Sequence, residues 1–422
     1  MRHTLRRAAW FLAAWLALTA AAYWIAAAAL PGRSPVAGPD GVPARIDAPW
    51  LWTPTVAQAP IGPVPIAAAG PTTTLGDLLT GNESVVVFAD ATGRQRTLDV
   101  PYIGSAIPGE TLLLSPDGTR AAYTVLQGIG IVVQDLTTGA ARTVPGTGEQ
   151  ATRPIAWAPD QRSLIVERSR AEDAGSLGSL DVGTGEFVPL LDTGASQLLV
   201  AAFRPDGTVA VQAGDQVCVF TGRRRDSCFH PPAGARLAGK GAWTPDGRSL
   251  ALVTDHGRAS ELSLVAPSTG APVDGGAVRG FPGVTTLLLL GWAPGDRAIV
   301  VAYHPEPDAP AGFDPADVDR LPTHFDFVRG VSVVALGPDG QADELVALSG
   351  AFLSVDVADA ALASTAVRPV GPPPAWPARP ALVAAAIALA TGPLLVWSVR
   401  PRRGPVAQPG TAAEMASGSS RG

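Results

Sequence analysis

The chain has 422 residues, a formal net charge of −6 and a hydrophobic fraction of 46%. This acidic balance excludes a broad basic face for nucleic acid. Gly and Pro make up about a fifth of the residues, below the level at which disorder becomes the default. Lys240 is the only lysine and Asn82 the only asparagine, which fits a high-GC coding bias.

Arg2, Arg6 and Arg7 precede a charge-free run from Ala8 to Leu30. At about 1.5 Å per residue this run is long enough to cross a ~30 Å hydrocarbon core. Trp10, Trp15, Tyr23 and Trp24 lie toward its ends, where amphipathic rings favour the interface. A cleaved signal peptide ending at the small residues Ala27 to Ala29 is the rival reading, and the length of the run favours a retained helix. A second apolar run, Ala381 to Val399, is bracketed by Trp376 and Trp397 and followed by Arg400, Arg402 and Arg403. Cations stay on the cytoplasmic side, so the chain is predicted to pass a cell membrane twice with both termini inside. The expected segments are cytoplasmic tails at 1–7 and 400–422, membrane helices at 8–30 and 381–399, Pro-rich linkers at 31–83 and 367–380, and an extracytoplasmic domain at 84–366.

Within that domain one phrase recurs five times. It reads LLLSPDG from Leu112, IAWAPDQ from Ile155, AAFRPDG from Ala201, GAWTPDG from Gly241 and LGWAPGD from Leu290. Each copy continues into further short apolar segments, making four strands per unit. The Asp-Gly and Thr-Gly turns suit hairpins, because Gly takes positive φ at little cost. Successive prolines, Pro116, Pro159, Pro205, Pro245 and Pro294, recur about every 40 to 50 residues. Four strands at that period predict an all-β fold, a β-propeller. Two fragments remain, Ser84 to Val100, read as a unit's last two strands, and Ala351 to Thr365, read as its first two. Joined, they predict a sixth blade; a seventh requires strands between Ala48 and Thr80. A two-plus-two closure places both linkers on the face of the two-to-three connections, which is expected to look toward the bilayer. Leu114, Trp157, Phe203, Trp243 and Trp292 stand two residues before each proline and are expected to pack between blades.

The phrase W-x-P-D-G-x-x-[LI]-A followed by D-L-x-T-G resembles the propeller repeat of TolB-like proteins and the wider WD-like group, over about Ser84 to Thr365. The resemblance implies the fold and leaves the function open, since this scaffold hosts binding, assembly and catalysis. The chain departs from TolB in two respects. Residues 32–81 do not read as an α/β domain, and an anchor is expected at each end.

Cys218 and Cys228 flank the polar turn of QVCVFTGRRRDSCFH. Facing each other across a hairpin in an oxidising compartment, they are expected to form a disulfide, with two separate buried thiols as the alternative. The turn itself carries Arg223, Arg224 and Arg225, a candidate contact for an anionic partner or a solvated tip balanced by Asp226. The longest irregular stretch, His304 to Gly330, replaces the two-to-three connection of the fifth repeat. It holds Glu306, Asp308, Asp314, Asp317 and Asp319, with His304 and His324 near its ends, and reads as a partner-contact loop more than a cation site. No G-x-S-x-G occurs, and a lone asparagine speaks against a lactonase-type channel calcium.

No catalytic residue, metal site or cofactor is therefore expected. The function predicted is non-catalytic binding of a protein or polymer of the cell envelope by a tethered propeller. An accessory subunit that contacts a membrane complex through its helices is the alternative, and a channel-centred hydrolase the third reading.

Overall fold

The computed structural model describes residues 41–49, 53–71, 85–98, 106–124, 130–146, 151–169, 175–194, 199–273, 278–307, 328–338, 340–364 and 367–368. Both apolar runs expected to cross a membrane lie outside these residues, as do Asp308, Asp314, Asp317, Asp319 and His324. Among the described residues no helix is long and apolar enough to cross a membrane.

The strands in chain order are β1 (Val42–Pro43), β2 (Arg45–Ile46), β3 (Ile66–Gly70), β4 (Val85–Ala89) and β5 (Gln95–Thr97), followed by the five repeats. The first repeat supplies β6 (Leu112–Leu114), β7 (Arg120–Thr124), β8 (Gly130–Asp135) and β9 (Ala141–Pro145). The second supplies β10 (Ala151–Trp157), β11 (Ser163–Ser169), β12 (Gly175–Asp181) and β13 (Phe187–Gly194). The third supplies β14 (Leu199–Phe203), β15 (Thr208–Ala213), β16 (Gln216–Thr221) and β17 (Arg224–Phe229). The fourth supplies β18 (Ala235–Leu237), β19 (Leu250–Asp255), β20 (Ala259–Val265) and β21 (Val278–Pro282). The fifth supplies β22 (Thr286–Ala293), β23 (Arg297–Pro305), β24 (Val328–Leu336) and β25 (Ala342–Leu348). The chain ends with β26 (Ser354–Val357), the short helix α1 (Asp359–Ser364) and β27 (Val367–Arg368).

Each repeat forms its own antiparallel sheet in sequence order, and β26-β3-β4-β5 forms one more. Six sheets make a six-bladed β-propeller. The core confirms the ring. The buried apolar residues fall into six clusters, each spanning two neighbouring sheets, including the two boundaries of the closing blade. A sheet buried on both faces needs no polar side, so inner strands such as β6, LLL, are buried throughout.

The Pro-Asp-Gly phrase builds the turn from first to second strand. Gly118 N donates to Ser115 O at 2.8 Å, Gly207 N to Arg204 O at 2.9 Å and Gly247 N to Thr244 O at 2.8 Å. Proline supplies the turn's fixed φ and glycine the left-handed residue after it. At Gly118, φ is 71° and a Cβ would lie 2.1 Å from Val64 O, so glycine is required twice over. The second repeat makes the same turn with Gln161 at φ 58°.

The aspartates of these and similar turns act as acceptors. Asp117 takes Thr119 N at 3.0 Å and the Ser115 hydroxyl at 2.7 Å. Burial alone would raise its pKa, but these donors hold it below the ordinary carboxylate value. Asp206 is held low by Arg204 and by Thr208 N, and Asp246 by the Thr244 hydroxyl and Arg248 N. On acidification the unfolded carboxylates take up protons near pH ~4 while the folded ones remain ionised. Stability is therefore expected to be level from about pH 5 upward and to fall below about pH 4. Urea midpoints measured across that range check this, and a midpoint that rises on acidification overturns it.

The closing blade differs from the expected two-plus-two arrangement. One strand, β26, comes from the C-terminal side and three, β3, β4 and β5, from the N-terminal side. Residues 84–100 do supply the last two strands. The second strand is β3, IAAAG, inside the stretch read as a Pro-rich linker. Alanine has weak strand propensity, and the strand ends on Gly70, where a Cβ would lie 1.8 Å from Ala351 O, so that position demands glycine. The stretch expected as that strand, DAALAS, is α1, in keeping with the helix preference of Ala and Leu.

This register also moves the chain's exit. Val357 pairs with Ile66, Ala358 N donates to Pro65 O, and Ala360 N donates to Pro116 O at 2.8 Å. Both flanks thus leave the closing blade on the face of the Pro-Asp-Gly turns, not on the face of the two-to-three connections. The end of β23 and the start of β24 lie on the opposite face. The flanks then meet again: β1 pairs with β27 in parallel, Val42 beside Val367, and β2 extends the fifth repeat's sheet along β25.

Candidate functional site: the axial channel

The first strands of the blades surround a cavity of about 390 Å³. Much of its wall is apolar, with Leu113, Ile155, Val200, Phe203 and Leu288 from four repeat blades. Charged groups stand at both ends.

At the end nearer the Pro-Asp-Gly turns, Lys240 Nζ lies 2.9 Å from Asp356 Oδ1 and 3.1 Å from Asp359 Oδ1. It also donates to Val357 O. Asp356 is 1% exposed. Its Oδ2 accepts from Leu114 N at 2.7 Å and its Oδ1 from Val357 N at 2.9 Å. One carboxylate on the closing strand thereby ties down the first and fourth repeats across the axis. Burial alone would lower the pKa of Lys240, but the Asp356 and Asp359 carboxylates override it and hold the ammonium protonated well above the usual lysine range.

At the other end, Arg236 Nη2 lies 2.9 Å from Asp255 Oδ2 and also meets the Thr286 hydroxyl. That hydroxyl donates to Asp255 Oδ2 at 3.0 Å, and Ser260 donates to Asp255 Oδ1 at 2.6 Å. Arg153 pairs with Glu167 at 3.0 Å. Tyr303, at the end of β23, is fully buried and lines the cavity. Its phenolic oxygen has no hydrogen-bond partner among the described residues. Burial, with the nearby Glu110 and Asp356 carboxylates, pushes its pKa well above the ordinary phenol value, and Arg236 opposes this.

Among the described residues no group of three His, Cys, Asp or Glu side chains is placed to hold a metal. No protein-family model matches the chain, and no curated protein matches it. Solved structures do. TolB from Acinetobacter baumannii is 17% identical with a TM-score of 0.42, over 66% of this chain and 62% of that one. An oligogalacturonate lyase in complex with manganese is 17% identical with a TM-score of 0.41, over 63% and 71%. An acylaminoacyl peptidase from Pyrococcus horikoshii is 13% identical with a TM-score of 0.36, over 62% and 41%. This chain spans less than two thirds of the length of TolB and of the peptidase. The propeller assignment rests on the strand pairing above, and these likenesses add no residue or activity to it.

The residues singled out in the sequence occupy three places. Three tryptophans lie between blades. Trp157 Nε1 donates to Leu113 O at 3.1 Å, Trp243 Nε1 to Ala202 O at 3.1 Å and Trp292 Nε1 to Gly241 O at 2.9 Å, each reaching the preceding repeat. Leu114 and Phe203 hold the equivalent positions, and both line the channel.

The second place is the outer hairpin of the third repeat. Cys218 and Cys228 are cross-strand partners with Cα atoms 4.1 Å apart, joined by a disulfide. Arg223, Arg224 and Arg225 are exposed at its tip, where Arg224 and the Thr221 hydroxyl both bind Asp226. Replacing both cysteines with serine is expected to lower stability by about 2–3 kcal/mol. Comparing denaturant midpoints with and without reductant checks this, and midpoints that coincide refute it.

The third place is the start of the insertion. His304 Nδ1 donates to Gly283 O at 3.4 Å, and its Nε2 shares a hydrogen bond of 2.8 Å with the Ser332 hydroxyl. Glu306 follows, half-buried, and Arg258 Nη2 donates to Pro307 O at 2.9 Å. His304 thus joins β23 to β24.

Sequence reasoning missed the channel groups Glu110, Arg153, Arg236, Lys240, Tyr303, Asp356 and Asp359. Two signals for them existed: Lys240 is the sole lysine, and Asp356 interrupts the apolar strand SVDV.

Proposed function

We propose that this chain is a membrane-tethered, extracytoplasmic propeller that acts by non-catalytic binding of a protein or polymer of the cell envelope. The observation that carries this reading is the parallel pairing of β1 with β27, Val42 beside Val367. It sets side by side the two flanks that continue in sequence toward the apolar runs at 8–30 and 381–399. The disulfide between Cys218 and Cys228 supports an oxidising compartment. The channel's lysine and arginines are engaged with carboxylates in ties between and within blades, an arrangement suited to a rigid binding scaffold.

Epitope tags placed at residue 315 and at residue 410 test the topology in spheroplasts. The first is expected to be reached by antibody without permeabilisation and the second only after it; the reverse pattern overturns the reading. Crosslinking in the native membrane tests the binding. Crosslinked partners should persist when the two apolar runs are exchanged for unrelated membrane helices. Their loss in that variant would assign the contact to the helices instead.

A further inference from the structure

The axial channel joins an apolar wall to an excess of negative charge. Ile155, Val200, Phe203 and Leu288 line the cavity and are only half-buried, so apolar side chains of three repeats face the channel. Pro116, Pro159 and Pro205 of the recurring turns also line it, so the cavity reaches the face of those turns. Among the described residues the cations on its wall are Arg153, Arg236 and Lys240. Arg153 meets Glu167 and Arg236 meets Asp255, one carboxylate each. Lys240 meets two, Asp356 and Asp359. Glu110 adds a further carboxylate to the wall, and the charged groups of the channel are net acidic.

The two carboxylates at Lys240 differ in what they can still do. Asp356 is buried and uses both oxygens, Oδ1 for Lys240 and Val357 N and Oδ2 for Leu114 N. Asp359 offers Lys240 only Oδ1, its side chain is 55% exposed, and it borders the cavity. It is therefore able to receive a second cation while Asp356 and the Val357 carbonyl keep Lys240 in place. A concave site of one sign with low-dielectric walls concentrates ions of the opposite sign. At an exposed carboxylate a cationic head keeps part of its water while an apolar stem lies against apolar surface. Pockets for small molecules combine an apolar wall with a few placed polar groups in the same way.

We propose that the axial channel binds an amphiphilic monocation, a primary amine on an apolar body, with its ammonium at Asp359 and its body along Ile155, Val200, Phe203 and Leu288. A neutral molecule of the same shape gains the wall without the carboxylate, and an anion meets the acidic balance. The site is independent of the tether.

Three probes of one shape and different charge test this: 4-butylbenzylamine, 4-butylbenzamide and 4-butylbenzoate. They are titrated calorimetrically at neutral pH into the full-length protein in phosphatidylcholine nanodiscs, with empty nanodiscs as the reference. The amine is expected to bind ~10-fold more tightly than the amide, the low end for a hydrogen-bonded charge because Asp359 is half-exposed. The benzoate should bind most weakly. Asp359→Asn should bring the amine down to the affinity of the amide and leave the amide itself within ~2-fold, since only the charge-assisted contact is lost. Added salt should weaken the amine and not the amide, by screening the exposed carboxylate. Leu288→Trp, which fills the cavity from the wall, should abolish binding of the amine. An amine that binds no more tightly than the amide overturns the proposal, as does binding of none of the three. So does Asp359→Asn with a lower melting temperature and unchanged amine affinity, which would make Asp359 purely structural. Amine binding retained in Leu288→Trp also overturns it. These outcomes leave the topology and crosslinking results untouched, so either reading can fail alone.

Discussion

Asp356→Ala is expected to destabilise the propeller by about 3–5 kcal/mol, the cost of breaking a buried ion pair from one side. The carboxylate is 1% exposed and serves three donors: Lys240 Nζ, Leu114 N and Val357 N. Without it, Lys240 keeps the Val357 carbonyl and a single carboxylate, Asp359, whose side chain is 55% exposed, and the Leu114 N–H loses this acceptor. At roughly 2–4 °C per kcal/mol for a domain of this size, the melting temperature should drop by ~10 °C. Asp356→Asn should cost less, since the amide oxygen can still accept one of the backbone N–H groups. Replacing the pair together, Asp356→Leu with Lys240→Met, should recover part of the loss, because no uncompensated charge remains, but not the part due to Leu114 N. The pH dependence has a definite sign. The pKa of Lys240 is raised by folding, so its contribution is fully present below the unfolded lysine value near pH ~10 and is lost only as pH rises through the folded value. The deficit of Asp356→Ala should therefore be constant between about pH 6 and 9. Thermal melts of the four proteins over that range measure it; a deficit under ~1 kcal/mol would remove Asp356 from the closure.

The parts of this molecule that were legible from sequence are those set by local rules. Pro116, Asp117 and Gly118 form their turn through hydrogen bonds within a few residues, so the phrase announces a hairpin wherever it recurs. Cys218 and Cys228 face each other because a hairpin register is local too. The strand β3 was hidden because Ala67, Ala68 and Ala69 carry no strand signal of their own. Gly70, which ends the strand, is fixed by the approach of Ala351 and Phe352, residues far along the chain. The exit of the flanks followed from that one strand, and misplacing β3 put the flanks on the wrong face. The channel was illegible for the same reason on a larger scale. Lys240, Asp356 and Tyr303 lie in three separate units of the sequence, and only ring closure brings them to one axis. A lone lysine and an aspartate inside an apolar strand hint that something is buried there, but not that each is the other's partner.

Trp243→Ala is expected to cost about 3–5 kcal/mol, the range for truncating a large buried aromatic. The ring is 6% exposed and packs in the cluster between the third and fourth repeat blades, with Ala202, Val219, Leu237 and Leu250. The Arg204 guanidinium lies 5.3 Å from its ring centroid on the outer side. Its indole N–H binds Ala202 O on β14, so the side chain fills the boundary and links the third and fourth repeats at once. Trp243→Phe separates these effects: most of the apolar area remains, and losing the hydrogen bond should cost about 1 kcal/mol beyond the area difference. Trp292 makes the same kind of bond to Gly241 but is only half-buried, so Trp292→Ala should cost less than Trp243→Ala. Urea midpoints of the three variants rank them. If Trp243→Ala and Trp292→Ala cost the same, burial at the blade boundary is not what sets the value of these residues. The ranking bears on the whole ring, because a propeller is closed by its boundaries. Each blade is held laterally by two, so a boundary weakened at Trp243 exposes the edges of both the third and fourth repeats, and unfolding should begin there. Hydrogen exchange in Trp243→Ala should accordingly accelerate in β14–β17 and β18–β21 before it does so in the closing blade, which Asp356 and Lys240 still tie across the axis.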